Sequence, residues 1–244
     1  IFRRSEKVVE LNSFTSRSAF SLYFEKRSLC FFAKIVAVSE RLKESIPSGL
    51  QLSAIVVPNG VDLDRFQPKN SKPVLDAGLA TVFGFVGTLK PGYGIEKLLA
   101  MYLKADFKNS VLKIAGNGPL LSVLKSSYSK ARNIVFVGQV EFDKVPDFLR
   151  SCDILVYPGD QFIDFQSPIK IYEYLASGKP ILAANVNGLG ELLGQGSNQC
   201  GLIFDHNDFK DFIDKATSLI ESRSLRQDLG RKAIIIAQQH SWSS

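Results

Sequence analysis

Six short apolar runs between residues 82 and 204 constrain the fold most: VFGFVGT (82–88), VLKIAG (111–116), IVFVG (134–138), DILVY (153–157), PILAA (180–184) and GLIF (201–204). They are rich in Val and Ile and almost continuously apolar, the pattern of strands covered on both faces. Segments with helical spacing separate them, near 94–105, 119–130, 143–151, 168–177 and 189–194. A last helical stretch runs from 208 onward and breaks around Ser222 to Ser224. This alternation predicts an α/β fold with a parallel sheet.

The first part of the chain is less complete. KVVEL (7–11), AKIVAVS (33–39) and AIVVP (54–58) read as strands, with a helix over about 16–32 and a short one at 40–46. Three strands with so little helix cannot bury two sheet faces, so this part reads as the end of another α/β domain. The stretch 59–80 is rich in Asn, Asp, Pro and Gly and marks a turn and a linker. The expected organisation is a first domain at 1–60, a linker at 61–80 and a second domain at 81–244.

At 244 residues and 45% hydrophobic, the chain can bury a full core. Its charge of +6 comes from 30 basic and 24 acidic residues spread along the sequence. Such a mild excess suits a polyanionic small ligand or an anionic membrane surface at least as well as nucleic acid. Cys30, Cys152 and Cys200 have no metal-ligand spacing and read as buried thiols of a reducing compartment. His206 and His240 join no metal cluster, and no metal is expected. No run is long enough to span a membrane: CFFAKIVAV at 30–38 is interrupted by Lys34. No signal peptide is evident, and with Ile1 in first place the sequence reads as a partial chain.

The segment SPIKIYEYLASGKP (167–180) carries the most chemistry. Ser167 suits an N-cap and Pro168 a first helical residue, so a helix should open here after the strand at 153–157. Lys170 in its first turn opposes the positive end of the helix dipole unless an anion sits nearby. Glu173 comes round beside Lys170 at the rim of an apolar arc of Ile169, Ile171, Tyr172, Leu175 and Ala176. The pair reads either as a cation for phosphate and a carboxylate for hydroxyls, or as a surface ion pair on a core-packed helix.

VVPNGVDLDRFQP (56–68), IVAVSERLK (35–43), FVGTLKPGYGIEKLL (85–99), LKIAGNGPL (112–120), VGQVEFDKVPDFLRSCDILVYP (137–158) and SPIKIYEYLASGKPIL (167–182) together resemble the retaining glycosyltransferases of family 4, over about residues 33–243 in unbroken order. The resemblance implies the GT-B arrangement, two facing Rossmann-like domains with an acceptor side and a nucleotide-sugar donor side. Residues 1–58 then correspond to the tail of the acceptor domain, and the segment from 81 onward to the donor domain. The implied reaction transfers a sugar with retention of configuration, without a bound divalent metal or other cofactor. A glycan, lipid or small molecule would be the acceptor, and nucleic acid is not a partner. The implied setting is cytoplasmic, with peripheral membrane contact through a missing N-terminal part left open. This fragment alone is expected to be inactive.

The resemblance also implies site residues. Gly87, Thr88 and Lys90 fall in the first donor-domain loop, where relatives often carry an Arg and a Lys facing the diphosphate; here those two positions are Thr88 and Tyr93. Asn117, in a position that tolerates unusual backbone angles, and Gly118 fall in a loop lining the nucleotide site. Near Ser167, Pro168 and Ile169, backbone N–H groups at the helix start are expected to meet the sugar hydroxyls or phosphate. Glu173 matches the acid that takes the ribose hydroxyls. Eight places before it, where the family has its first acid, stands Phe165, with Asp164 one place further back. Lys90 and Lys170 are the groups expected to stabilise the leaving diphosphate. NGLGE (187–191) resembles a further donor-site loop in which Glu191 reads as a helix-start acid. A GT-B nucleotide-sugar epimerase and a nucleotide-sugar-binding protein without turnover are the competing readings.

Overall fold

The computed structural model describes residues 5–12, 19–68, 80–159, 168–186, 188–194 and 196–242. It divides into two compact units, one of Ile1–Asn59 with Ile163–Ile169 and one of Gly60–Phe162 with Lys170–Ser244. Among the described residues, no helix is long and apolar enough to cross a membrane.

In the first unit, β1 (Ser5–Leu11), β2 (Phe32–Ala37) and β3 (Ala54–Val56) pair in parallel in that order. They are joined through α1 (Ala19–Ser28) and then α2 (Glu40–Glu44) and α3 (Ser48–Gln51). Successive right-handed crossovers that step in one direction place their helices on the same face. Leu11, Ile35, Ala37 and Ala54 accordingly share a core with Leu29, Leu42 and Ile46. The alternate positions Val8 and Ile55 are 58% and 51% exposed. The helix expected over 16–32 stops at Ser28, whose hydroxyl donates to the Glu25 carbonyl (2.7 Å) and competes with continuation. A single 3-10 turn at Leu29–Phe31 follows. That turn buries Leu29 and turns Cys30 outward, so Cys30 is exposed rather than a core thiol.

The second unit begins in the stretch expected to be linker. Asp62 caps α4 (Leu63–Phe66) by accepting from the Arg65 N–H (3.2 Å), and Val61 and Phe66 are buried in the core. Residues 69–79 of that stretch lie outside the described residues. Six strands follow: β4 (Thr81–Val86), β5 (Ser110–Ala115), β6 (Ile134–Gly138), β7 (Ile154–Tyr157), β8 (Ile181–Ala184) and β9 (Gly201–Phe204). All are parallel, in the order β6-β5-β4-β7-β8-β9. The helices are α5 (Ile95–Ala105), α6 (Leu121–Ser127), α7 (Val145–Arg150), α8 (Ile169–Ala176), α9 (Leu189–Leu193), α10 (Phe209–Glu221) and α11 (Arg223–Gln239).

The period of two along each strand feeds two cores. Phe83, Phe85, Leu112, Ile154 and Leu182 pack with residues of α5 and α10 on one face. Val82, Leu155, Tyr157, Ile181 and Ala183 pack with residues of α7, α8, α9 and α11 on the other. Every residue of β7 and β8 is buried as a result. Burial pushes the Cys152 and Cys200 thiols up to about 11, so both behave as small apolar side chains. After α11 the chain returns to α4's entry: the Val61 N–H donates to the His240 carbonyl (2.9 Å) and the Trp242 N–H to the Val61 carbonyl (3.2 Å).

The chain runs from β4 to β5 on one side and later places β7 on β4's other side, so the β4/β7 boundary is the topological switch point. Ligands of open α/β sheets bind outside the carboxyl ends of the strands at that boundary.

Candidate functional site

Backbone hydrogen bonds lace together the loops that leave the carboxyl ends of β4, β5 and β6. The Gly87 N–H donates to the Ala115 carbonyl (3.0 Å), and the Gly116 N–H to the Gly138 carbonyl (2.7 Å). The Leu89 N–H donates to the Asn117 carbonyl (2.8 Å), and the Leu120 N–H to the Leu89 carbonyl (3.0 Å). Gly116 has φ +144°, and a Cβ there would run into the Gly87 carbonyl oxygen. The approach of the two loops therefore requires glycine. The unusual backbone angles fall on Gly116 and Gly118 (φ +150°), not on Asn117, which corrects the sequence expectation. The Asn117 side chain instead accepts from the Gly118 N–H (2.8 Å) and donates to Gln139 Oε1 (3.2 Å), linking the second loop to the third.

The loop at 87–94 is anchored at both ends. Leu89 is fully buried near its start. At its end Gly94 serves as N-cap of α5 with φ +73°, where a Cβ would sit 2.5 Å from the Gly159 carbonyl oxygen. Thr88, just before Leu89, is exposed; Lys90, between the two anchors, is half-buried, with Nζ 3.9 Å from the centroid of the Tyr93 ring.

Helix α8 brings the second set of groups. The buried hydroxyl of Tyr174 accepts from the Val86 N–H (3.1 Å), which pins the helix to the last residue of β4. Lys170, one turn earlier, carries its ammonium to Gly87, against the place a Cβ on that glycine would occupy. Nζ lies 4.8 Å from the Phe85 ring centroid and 5.9 Å from that of Tyr157. Glu173 is half-buried; burial pushes its carboxyl pKa up, while the Lys170 and Arg65 charges pull it down.

Gly87, Lys90, Asn117, Gly118, Lys170 and Glu173 thus lie on one unit, on the segments that leave the strand ends beside the switch point. Ile169 opens α8 but is 50% exposed and clusters with the first unit, as does Pro168, which stands just before the helix rather than in it. The place given to Ile169 in the apolar arc is taken by Tyr174. Ser167, Asp164 and Phe165 lie outside the described residues. Glu191 sits in the first turn of α9 and, with Asn185, Gly188, Gly190 and Gly194, lines a cavity of about 380 Å³. Asn187 of that loop lies outside the described residues. Among the described residues, no group of three His, Cys, Asp or Glu side chains could hold a metal ion.

Sequence reasoning missed Arg65. Its guanidinium lies over the Phe142 ring (3.9 Å to the centroid), forms an ion pair with Asp143 and contributes to the field at Glu173. Arg65, the adjacent Phe142 and Asp143, and Glu173 come from three segments far apart in sequence, and no local pattern in DLDRF signals their meeting. Gln139 was missed for the same reason, since it meets Asn117 across 22 residues.

A parallel sheet whose strand order reverses at β4, with glycine-dependent loops and Lys90 and Lys170 on the segments beside that reversal, is a Rossmann-like unit. The profile of the family described as "Glycosyl transferases group 1" matches residues 67–235, and the chain belongs to that family. It is 29% identical over 240 residues to an uncharacterized glycosyltransferase of Methanocaldococcus jannaschii, covering 98% of this chain and 62% of the relative. It is 29% identical over 189 residues to the lipopolysaccharide core biosynthesis mannosyltransferase LpsB of Rhizobium meliloti, covering 71% of this chain and 52% of the relative. The chain therefore spans between half and two thirds of these proteins. HepE of Anabaena, solved in complex with UDP-glucose, superposes with a TM-score of 0.78 at 18% identity, covering 96% of this chain and 67% of that one. The shared architecture is that of GT-B glycosyltransferases, of which this chain matches a part.

Proposed function

We propose that residues 81–244 form the donor domain of a retaining glycosyltransferase and bind a nucleoside diphosphate sugar, with residues 1–60 contributing to the acceptor domain. The observation that carries this reading is the seating of the Lys170 ammonium against Gly87, one helical turn from Glu173. A cation at a helix N-terminus beside a glycine loop suits a diphosphate, and a half-buried carboxylate one turn further suits a ribose diol. HepE supports it as a fold relative with UDP-glucose bound. The mannosyltransferase and glycosyltransferase relatives support sugar transfer.

In this reading the bond between the anomeric carbon and the diphosphate breaks through an oxocarbenium-like transition state. Negative charge then builds on the leaving diphosphate. In this reading Lys170, Lys90 and the N-terminus of α5, whose N-cap Gly94 makes no side-chain bond to it, stabilise that charge without reorganising. The acceptor hydroxyl attacks the same face of the sugar and passes its proton to the departing diphosphate oxygen, and configuration is retained. Transfer also requires the exclusion of water, which one half of a cleft does not provide, so we expect little transfer by the 244-residue chain alone.

Calorimetric titration of the chain with UDP, GDP and ADP tests the reading. One of them should bind, and Lys170→Met should weaken that nucleotide more than the corresponding nucleoside. Failure of all three to bind, or equal affinity for Lys170→Met and the wild type, would remove the donor-site assignment.

A further inference from the structure

The pairing of Lys90 with Tyr93 has no place in the reading above, where only the lysine acts. The turn that carries both is held at two fixed points. Leu89, fully buried, is bonded through both its backbone groups to the 117–120 segment, and Gly94 is wedged against the Pro158 and Gly159 carbonyls. The Tyr93 N–H closes the turn on the Lys90 carbonyl (3.3 Å). Residues three apart in such a turn lie side by side, and the Lys90 ammonium rests over the Tyr93 ring face at 3.9 Å.

A lysine in an exposed turn ordinarily samples many rotamers and keeps its ammonium in water. An aromatic face at this distance attracts the ammonium and removes part of its hydration. It leaves the remaining N–H donors free to face an anion. Helix α5 begins immediately after Gly94, which makes no side-chain bond to its N-terminus, so the clasped ammonium and the helix end belong to the same loop. Ordering the cation before the ligand arrives reduces the entropy lost on binding.

We propose that Tyr93 is a positioning residue that holds the Lys90 ammonium over its ring, ready for the donor diphosphate, and so supports the cation of this loop. The proposal rests on the donor-site reading and extends it to a residue that need not touch the ligand. It differs from a packing role because its effect must travel through Lys90.

The test uses the 244-residue chain and whichever of UDP, GDP and ADP binds it most tightly. Lys90→Met should lose about tenfold in affinity for the diphosphate and little for the nucleoside. Tyr93→Phe keeps the ring and should bind within about twofold of the wild type, whereas Tyr93→Leu keeps the bulk and should lose about fivefold. On the Lys90→Met background, Tyr93→Leu should cost nothing further. Equal binding by Tyr93→Leu and the wild type, with Lys90→Met still weakened, overturns the positioning role and leaves the donor site standing. An undiminished Tyr93→Leu loss on the Lys90→Met background also overturns it, because Tyr93 would then touch the nucleotide or support the loop itself. Normal binding by Lys90→Met instead removes this loop from the phosphate site, and no binding of any nucleotide sinks the donor-site reading.

Discussion

Both units of the molecule are parallel sheets built from the same strand–helix grammar, yet they differ in how the chain steps across them. In the first unit β1, β2 and β3 follow one another in a single direction, and one face gathers the core while Val8 and Ile55 remain exposed. In the second the path reverses at β4, and each face of the sheet acquires its own core. Reversal of the path does two things at once: it covers both faces, and it opens the crevice at β4 and β7 where the candidate site lies. Helix α1 deepens the contrast, because Phe20, Tyr23 and Phe24 are between 54% and 75% exposed, with Phe24 meeting the other two rings edge-on.

The largest expected effect follows from that covering. Leu155, in the centre of β7, is fully buried, and Leu155→Ala should cost about 3–5 kcal/mol of stability through lost burial and the cavity left behind. Ile55→Ala, on the open face of β3, removes a side chain already 51% in solvent and should cost below about 1 kcal/mol. Hydrogen exchange of the β4 and β2 amides reads each sheet separately. Similar losses in both sheets would mean that the exposed face of the first is covered in solution.

The two regions also differ in how much of them is legible in the sequence. All six strands of the second unit stand out because burial on both faces writes continuous runs such as ILVY, and caps such as Asp208 and Ser222 mark the starts of α10 and α11. The first unit reads less cleanly: the helix before β2 ends early because a serine hydroxyl competes for the backbone, and Cys30 faces outward in the turn that follows. In the site, Lys170 and Glu173 are legible because helical spacing is local. Arg65 is not, since its partners Phe142, Asp143 and Glu173 come from other segments. The anchoring Tyr174 was hidden by its neighbours, because in IKIYEYLA any aromatic could have faced the core.

The next effect concerns binding, where only the second unit should respond. If Glu173 accepts hydrogen bonds from a ribose diol, Glu173→Gln should weaken the ribonucleotide by about 1.5–3 kcal/mol in calorimetry. The melting temperature should hold, because a half-buried carboxylate whose pKa is raised by burial gains nothing in stability from its charge. Normal affinity, or a large fall in melting temperature, would assign Glu173 to the framework of α8 instead.

A weaker consequence is a pH dependence. Burial raises the Glu173 pKa, so its carboxylate is lost on acidification at a higher pH than an ordinary glutamate's. Ligand hydroxyls donate to the ionised form, so affinity should be full above the raised pKa and fall as the pH drops through it. A nucleoside diphosphate sugar is the right probe, since its diphosphate diester does not titrate in that range. Glu173→Gln should flatten the profile; an unchanged slope in that variant would trace the titration to another group.

The smallest effect tests Arg65, the group that joins the stretch after Asn59 to the site. Its charge pulls the Glu173 pKa down against burial, so Arg65→Met should move the midpoint of the binding profile to higher pH. Methionine keeps much of the side chain's length over the Phe142 ring, and Asp143, 84% exposed, stays solvated when its partner is lost. Affinity well above the midpoint should therefore change little while the midpoint itself rises. The direction separates two roles: a residue that only packs against Phe142 would leave the midpoint in place, and one that binds the nucleotide would lower affinity at every pH. A rising midpoint with the alkaline plateau preserved would mark Arg65 as a charge that keeps Glu173 ionised from outside the ligand's reach.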